Sequence, residues 1–265
     1  MESPAVLAAG IDRLLAGSHL PSTHGPQETP GAESGPDAAR ADAGNEFGVR
    51  QVLDLGGGTG GQAVRLAKLG HHVTVVDPSA DALAILARRV RDEGLEQVLR
   101  GVQGDAEDLA SVIADDSIDL VLCHGVLEVV DDPRAALRSV HRVLHSGGML
   151  SLVVSQRDAA VLSRVVAGQI RAARQLLQDP DGRWGPGDPL QRRFTGPGLD
   201  DLLAETGFEV LGSEGIRPFS DLVPYAAIAD DPSAMVDLAT LEEIAATVPA
   251  LRAVAGHLHV HASPR

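Results

Sequence analysis

Short apolar runs alternate with helix-like periodicities through the middle of the chain. Five segments with closely spaced Val, Leu and Ile predict strands: Gln51–Leu55, His72–Val76, Val98–Gln103, Ile118–Cys123 and Met149–Val154. Between them, apolar residues that recur every three or four positions predict helices: Gly60–Leu69, Ala80–Glu93 and Pro133–Leu144. Apolar strands that alternate with helices are typical of an α/β fold, in which a parallel sheet is covered on both faces.

The pattern changes after the fifth strand. A long helix is predicted over Arg157–Leu177, followed by a loop rich in Pro and Gly. A helix at Leu199–Thr206, a strand that starts at Phe208 and reaches Leu211 or somewhat beyond, and a final strand at Leu258–Ala262 complete the prediction. We therefore expect a mostly parallel seven-stranded sheet flanked by helices, with a helical cap inserted at about residues 156–198.

The N-terminal region has a different composition. Residues 4–16 favour a short helix, and residues 17–45 are rich in Pro, Gly, Ser, Ala and Asp. Such a segment has too little apolar surface to offset its ordering entropy, so residues 1–47 are predicted to be a short helix plus a disordered linker, and residues 48–265 the folded domain. The N-terminus lacks the basic region of a signal peptide, and no apolar stretch is long enough to span a membrane. We expect a cytoplasmic protein.

Charge and cysteine usage narrow the function classes. The net charge of −15 disfavours general binding to nucleic acids or anionic membranes, although it leaves room for a local basic patch. The single cysteine, Cys123, excludes an internal disulfide and a multi-cysteine metal site, and its place at the end of an apolar strand indicates a buried small hydrophobe. His257, His259 and His261 share one strand face, but same-face positions do not converge on a metal as tetrahedral ligands do, so no metal is predicted.

A glycine-rich segment, Asp54-Leu-Gly-Gly-Gly-Thr-Gly60, follows the first strand and opens a helix. Glycines there let the backbone turn sharply and let a ligand lie against the main chain. Gly56, Gly58 and Gly61 also satisfy the dinucleotide pattern G-x-G-x-x-G, and Asp77 ends the second strand, where a carboxylate accepts hydrogen bonds from ribose hydroxyls. Both NAD and S-adenosylmethionine therefore have to be considered.

Three features favour S-adenosylmethionine over NAD. Asp54 would repel a pyrophosphate but attract the cationic amino group of S-adenosylmethionine. Asp105, after the third strand, is placed to accept a hydrogen bond from the adenine amine. The fourth strand runs into the segment His124-Gly-Val-Leu-Glu-Val-Val-Asp-Asp-Pro133, at the strand ends where ligands bind in open α/β sheets.

These motifs resemble the Rossmann-like class I S-adenosylmethionine-dependent methyltransferases across roughly residues 50–155. Over residues 50–263 the chain is similar to the family that methylates the carboxylate of carboxymethoxyuridine at the tRNA wobble position. The additional similar segments are Ser146-Gly-Gly-Met-Leu-Ser-Leu152, Leu203-Ala-Glu-Thr-Gly-Phe208, Gly215-Ile-Arg-Pro-Phe219 and His257-Leu-His-Val260. From the motifs and the resemblance, the predicted cofactor-binding residues are Asp54, Gly56, Gly57, Gly58, Gly60, Asp77, Pro78, Asp105, Ala106 and His124.

Two departures from that family concern the acceptor. No residue matches the arginine of the family's N-terminal segment that reaches the cofactor, and the family's lysine-rich stretch is replaced here by Asp179-Pro-Asp-Gly-Arg-Trp-Gly-Pro-Gly-Asp-Pro189. The acceptor therefore stays open between modified tRNA and a small metabolite, and a protein that binds the cofactor without turnover is a third interpretation. The residues do not identify a general base or an oligomeric state.

The cap is the candidate acceptor region because it carries excess positive charge. Seven arginines against four acidic residues lie between Gln156 and Arg193, in a chain whose net charge is −15. Arg192 and Arg193 are predicted as direct contacts to an anionic acceptor, since Arg forms bidentate pairs with carboxylates and phosphates. Trp184 stacks on a substrate ring or packs the loop, and Arg217 clamps an anion or pairs with a nearby acid; the sequence leaves both choices open.

Overall fold

The computed structural model describes residues 10–12, 49–224, 228 and 230–265. Residues 10–12 are helical, while the rest of the helix predicted over 4–16 and the whole linker predicted over 17–45 lie outside the described residues. The strands are β1 (Gln51–Leu55), β2 (His72–Asp77), β3 (Leu99–Gln103), β4 (Ile118–His124), β5 (Leu144–Ser155), β6 (Phe208–Ile216) and β7 (His257–Pro264). The helices are α1 (Gly61–Lys68), α2 (Ala80–Asp92), α3 (Pro133–Val143), α4 (Arg157–Val166), α5 (Ile170–Gln178), α6 (Gly196–Glu205), α7 (Pro232–Ala245) and α8 (Pro249–Arg252), with a 3₁₀ helix at Ala106–Ser111.

The strands form one seven-stranded sheet in the order β3-β2-β1-β4-β5-β7-β6. β1 to β5 run parallel, whereas β7 is antiparallel to both of its neighbours. The strand order reverses at β1, which lies between β2 and β4. In open α/β sheets, ligands bind at the carboxyl ends of the strands on either side of such a reversal. The mostly parallel seven-stranded α/β sheet predicted from the sequence is confirmed.

Apolar side chains fill both faces of the sheet because alternate strand residues point to opposite sides. In β1, Leu53 belongs to the core under α3, α6 and the 3₁₀ helix, whereas Val52 belongs to the core under α1 and α2. Ile11, from the helical residues 10–12, is fully buried in this second core. Residues 10–12 therefore dock on the sheet, and Asp12 adds an exposed ion pair with Arg65 at 2.8 Å.

Helix boundaries depart from the sequence prediction mainly in the cap. The single helix predicted over Arg157–Leu177 is two helices, α4 and α5, because the chain turns at Gly168 with a φ of 72°. The left-handed conformation interrupts the helix at a residue that adopts it without steric cost. Helices α7 and α8, between β6 and β7, were not predicted.

β5 starts five residues before the predicted Met149. Its pairing with β4 shifts register between Ile118 and Leu120, so Ser146-Gly147-Gly148 belong to an irregular start of the strand. A register shift of this kind bends a strand locally without ending it.

Candidate functional site

The glycine-rich loop joins β1 to α1 at the carboxyl edge of the sheet. Gly56 has a φ of 68°, and a Cβ on it would lie 2.6 Å from Cγ2 of Val126 in the loop after β4. A Cβ on Gly57 would lie 2.5 Å from the carboxylate of Asp54. These approaches are too close for any larger residue, so the sequence folds this loop tightly against β4. Gly58 lies at the tip of the loop, and Gly60 directly precedes α1.

Asp54 lies beneath this loop, and its side chain is buried. Burial raises the pKa of Asp54 to about 7, although a hydrogen bond from the Ala63 backbone opposes the shift and the charge of Asp77 adds to it. The carboxylate thus holds the first turn of α1 as well as standing next to the predicted cofactor site. The attraction of a cationic amino group to Asp54 stays a prediction.

Asp77 ends β2 beside the loop and is held by backbone amides. Its Oδ2 accepts a hydrogen bond from the Gly58 N–H at 2.9 Å, and its Oδ1 accepts one from the Ser79 N–H at 2.8 Å. Each carboxylate oxygen has a second lone pair, so Asp77 retains acceptor capacity for two hydroxyl groups. Pro78 follows at the surface, where its carbonyl accepts from the Gln103 side chain.

Asp105 and Ala106 lie one strand further, after β3. The Asp105 carboxylate is exposed and caps the 3₁₀ helix by accepting from the Glu107 N–H at 2.9 Å. Ala106 is buried at the start of that helix. Because Asp77 pairs in register with Gln103, the two predicted acidic groups lie at the same edge of the sheet.

His124 ends β4 and heads a chain of buried polar side chains. Its Nε2 lies 2.9 Å from Oγ of Ser151 in β5, and that hydroxyl lies 2.8 Å from Nε2 of His259 in β7. His261 continues the chain, with its Nε2 3.2 Å from Nε2 of His259. Burial, with the charge of His261, lowers the pKa of His124 to about 4, so the ring is neutral near pH 7. Two of the three histidines predicted to share a face of β7, His259 and His261, thus belong to a buried network. The described residues contain no cluster suited to a metal ion.

The segment after β4 is fixed by Arg192, and this corrects its predicted role. The guanidinium of Arg192 donates to the backbone carbonyls of Leu127, Val130 and Asp131. An arginine whose donors are used by the loop that borders the site orients that loop instead of presenting charge to a ligand. Arg192 was predicted to contact the acceptor because residue spacing alone does not show the backbone partners of a side chain.

Arg193, the other predicted acceptor contact, pairs with a carboxylate of the cap loop and also lines the cavity described below. Its Nη1 lies 2.6 Å from Oδ2 of Asp188, and the two side chains are 9% and 0% exposed. Burial acts to raise the pKa of Asp188, but the Arg193 hydrogen bond and two backbone amides hold it below its ordinary value. Arg193 and Asp188 therefore form a buried ion pair that holds the cap loop together.

A cavity of about 190 Å³ lies at the carboxyl end of β5. Ser155 and Gln156 line one side, and Arg217, Asp221 and His257 line another. Arg217 has a φ of 58°, a conformation that residues other than glycine rarely adopt and that is enriched at functional sites. Its guanidinium pairs with Asp221, while its Nε–H has no hydrogen-bond partner among the described residues. Both roles considered for Arg217 thus remain relevant: it pairs with an acid and it faces a cavity.

Three polar residues of this region, Glu128, Ser151 and Gln156, were not predicted from the sequence. Glu128 is 1% exposed, its Oε1 accepts from the Ser155 N–H at 2.7 Å, and burial raises its pKa. It thereby ties the loop after β4 to the edge of the cavity. A glutamate inside an otherwise apolar run, Val126 to Val130, was the available signal. Trp184 lies in the cap, away from this cavity, with the Arg164 guanidinium 4.9 Å from its ring centroid.

Two general expectations concern burial and membranes. Cys123 is free and buried, and burial raises its pKa, as expected for a small hydrophobe in the core. No helix in the described part of the chain is long and apolar enough to cross a bilayer.

The chain matches known methyltransferases in sequence and in fold. A family model described as a methyltransferase domain matches residues 53–152. The tRNA 5-carboxymethoxyuridine methyltransferase of Escherichia coli K12 is 32% identical over 178 residues, which are 64% of this chain and 64% of that protein. The match thus spans slightly less than two thirds of that relative.

Two further matches extend over more of the chain. An uncharacterized methyltransferase of Mycobacterium tuberculosis H37Rv is 32% identical over 206 residues, covering 77% of this chain and 76% of that protein. An S-adenosylmethionine-dependent methyltransferase from Mesorhizobium loti superposes with a TM-score of 0.54 at 20% identity, covering 83% of this chain and 93% of that one, and so shares the fold. The chain belongs to the class I S-adenosylmethionine-dependent methyltransferases, and its cofactor is S-adenosylmethionine.

Proposed function

We propose that the protein transfers a methyl group from S-adenosylmethionine to an anionic acceptor, with the carboxylate of a modified tRNA uridine as the leading candidate. The observation that carries the proposal is the cavity at the end of β5, where Arg217 offers a cation in a strained backbone conformation. The cavity lies at the end of β5, and β5 pairs with β4, whose last residue, His124, belongs to the predicted cofactor site. The acceptor would therefore enter beside the cofactor.

The residues at the strand ends fit S-adenosylmethionine. Asp77 keeps free lone pairs for ribose hydroxyls, and Asp105 is an exposed acceptor for an adenine amine. A Cβ on Gly58 would meet nothing nearer than 3.9 Å, so the tip of the loop is open to a ligand that lies against it. Gly56, Gly57 and Gly60 allow the tight loop, and His124 borders it as a neutral group.

The chemistry favours an anionic oxygen as the nucleophile. When bound, S-adenosylmethionine supplies an electrophilic methyl group on a sulfonium. A carboxylate needs no general base to attack it; the protein has to orient the carboxylate and exclude water. Arg217 is suited to orient it through a charge-assisted hydrogen bond from its Nε–H, which has no partner among the described residues while the guanidinium pairs with Asp221. Glu128 holds Ser155 at the cavity edge and so keeps the loop after β4 in place.

Two observations support different acceptors. The Escherichia coli relative is named as a tRNA 5-carboxymethoxyuridine methyltransferase, which supports tRNA. The net charge of −15 supports a small anionic metabolite, because an acidic chain repels a polyanion unless a local surface compensates.

The test measures transfer of a tritiated methyl group from S-adenosylmethionine into bulk tRNA and into a small-molecule extract. Label in tRNA that is removed by mild alkali, as an ester is, supports the leading candidate. Label in small molecules alone would replace it by the metabolite hypothesis, and transfer into neither fraction would favour cofactor binding without turnover.

The variant Arg217→Gln tests the cavity with the acceptor identified in that assay. It should lower kcat/KM about 10–100-fold, the loss of one charge-assisted pair, and leave S-adenosylhomocysteine affinity unchanged. Arg138→Gln, which removes an exposed arginine from α3, is the matched control. Equal kcat/KM for both variants would show that the cavity is not the acceptor site.

A further inference from the structure

A second concave surface lies in the cap, between the α4–α5 turn and the loop that carries Trp184. This cap groove has a volume of about 670 Å³. Its principal side chains are Arg164, Gln169, Ile170, Arg171, Gln175 and Trp184. None of the groove's lining residues is acidic. In a chain of net charge −15, a groove of this size without a carboxylate is a local positive surface.

The arginines at the cap groove differ from the other cap arginines in their partners. Arg192 donates to backbone carbonyls, and Arg193 pairs with Asp188, as described above. Arg171 and its neighbour Arg174, one turn along α5, are exposed, and neither pairs with a carboxylate within the described ranges. Arg164 donates to Gln169 and has no carboxylate partner there either. Their positive charge is therefore available to a ligand.

Trp184 presents an aromatic ring at the same place, and its backbone is held firmly. The Trp184 N–H donates to Oδ2 of Asp188 at 2.9 Å, and Asp188 is fixed by its buried pair with Arg193. The ring lies under the guanidinium of Arg164, which is a cation–π contact. Its indole N–H has no hydrogen-bond partner in the part of the chain that the structure describes. Ile170, 61% exposed, adds apolar surface.

We propose that the cap groove binds a single-stranded segment of RNA. Such sites combine a cationic groove, which follows the phosphates, with an aromatic ring and arginine planes on which bases stack. Arg171 and Arg174 supply charge for phosphates, Trp184 with Arg164 supplies the stacking platform, and the amides of Gln169 and Gln175 reach base edges. An acidic peptide would use the charge but leave the aromatic platform unused. The inference rests on the proposed function, since it gives an acidic methyltransferase a means to hold a polyanionic acceptor.

The experiment uses the whole chain and a fluorescein-labelled single-stranded RNA of mixed sequence. The RNA is about as long as the strand of an anticodon stem-loop. Anisotropy at 50 and 200 mM salt should show binding that weakens with salt, because phosphate contacts release counterions. Trp184 is the sole tryptophan, so its intrinsic fluorescence should be quenched in the same titration. RNA binding without a change in tryptophan emission would overturn the stacking role.

The variant Arg171→Gln/Arg174→Gln should weaken RNA binding about 10-fold at 50 mM salt and reduce the slope of log affinity against log salt by about 1–2. The control, Arg88→Gln/Arg91→Gln, removes two exposed arginines from α2 and should bind as wild type does. The inference would be contradicted if the two double variants bound RNA equally well, or if wild type bound polyglutamate, an acidic peptide, as tightly as it binds RNA.

Failure of the cap groove and failure of the proposed function give different results. S-adenosylhomocysteine affinity should be unchanged in both double variants, because α2 and α5 residues at these positions are outside the predicted cofactor site. RNA binding that depends on Arg171 and Arg174, without any methyl transfer, would support the cap groove as an RNA site and contradict the proposed function. If Arg171→Gln/Arg174→Gln methylated tRNA as fast as wild type does, the proposed function would be supported and the RNA-binding role of the cap groove contradicted.

Discussion

Charged side chains are held differently at the carboxyl edge of the sheet, where the predicted cofactor site lies, and in the cap. At the carboxyl ends of β1 to β3, Asp54, Asp77 and Asp105 each accept hydrogen bonds from backbone amides of nearby loops. In the cap, arginines have partners of different kinds: Arg192 reaches back to the loop after β4, and Arg193 pairs with Asp188 in its own loop. Local backbone geometry thus positions the acidic side chains. Tertiary contacts decide which arginines stabilise the fold and which can bind a ligand.

The largest effect is expected from the buried ion pair of the cap. Arg193→Met should lower the free energy of unfolding by about 3–5 kcal/mol, because it leaves the Asp188 carboxylate buried without its cation. Urea denaturation measures this, with the exposed Arg174→Met as the control, expected within about 0.5 kcal/mol of wild type. The double variant Arg193→Met/Asp188→Asn should recover part of the loss. A single variant no less stable than its control would show that the pair does not hold the cap.

The next effect concerns Asp54 and the pH dependence of stability. Its pKa is about 7 in the fold against 3.8 in the unfolded chain, so between these values the folded state binds more protons and stability falls as pH rises. Relative to Asp54→Asn, wild type should lose up to about 4 kcal/mol between pH 4 and pH 7 and lose no more above pH 7. Unfolding midpoints measured across this range check the prediction. Parallel pH profiles for the two proteins would mean that Asp54 is solvated or paired.

Cofactor affinity gives an intermediate effect at the cofactor edge. Asp77→Ala should weaken S-adenosylhomocysteine binding by about 1.5–3 kcal/mol, because it removes charged hydrogen bonds to the ribose. Calorimetry measures this, and the exposed Asp81→Ala on α2 is the control. NAD should not bind measurably to wild type. A change of only a few tenths of a kcal/mol in Asp77→Ala would place the ribose elsewhere.

The smallest effect is expected where the N-terminal segment docks. Asp12→Asn should change the free energy of unfolding by less than about 1 kcal/mol, because the Asp12–Arg65 pair is solvent-exposed. The buried Ile11 in the same turn should contribute more, so Ile11→Ala serves as the comparison, with a cost of about 2–5 kcal/mol. Identical unfolding curves for Ile11→Ala and wild type would mean that this turn does not dock in solution.

The part of the site that the sequence predicted is the part built from neighbours in the chain. Asp54 lies in β1 just before Gly56 and Gly57. Asp77 ends β2 and Asp105 follows β3, so alternation of strands and helices was enough to bring them to one edge. The polar network of His124, Ser151 and His259 was not predicted, because its members lie in three strands and Ser151 is 108 residues from His259. The alternation of histidines in β7 indicated a common face but not the groups opposite it.

The amino-acid sequence by itself determined the strand and helix alternation, the glycine loop and the acids around it, because each depends on spacing within one or two neighbouring elements. Only the tertiary structure decided the roles of the cap arginines, since Arg171, Arg174, Arg192 and Arg193 are the same residue type within one cap segment. The difference lies in what folding brings to each guanidinium: backbone carbonyls and Asp188 for the first two, and an acid-free groove beside Trp184 for Arg171, with Arg174 exposed close by. Long side chains reach partners that sequence spacing does not specify, so their function follows from packing.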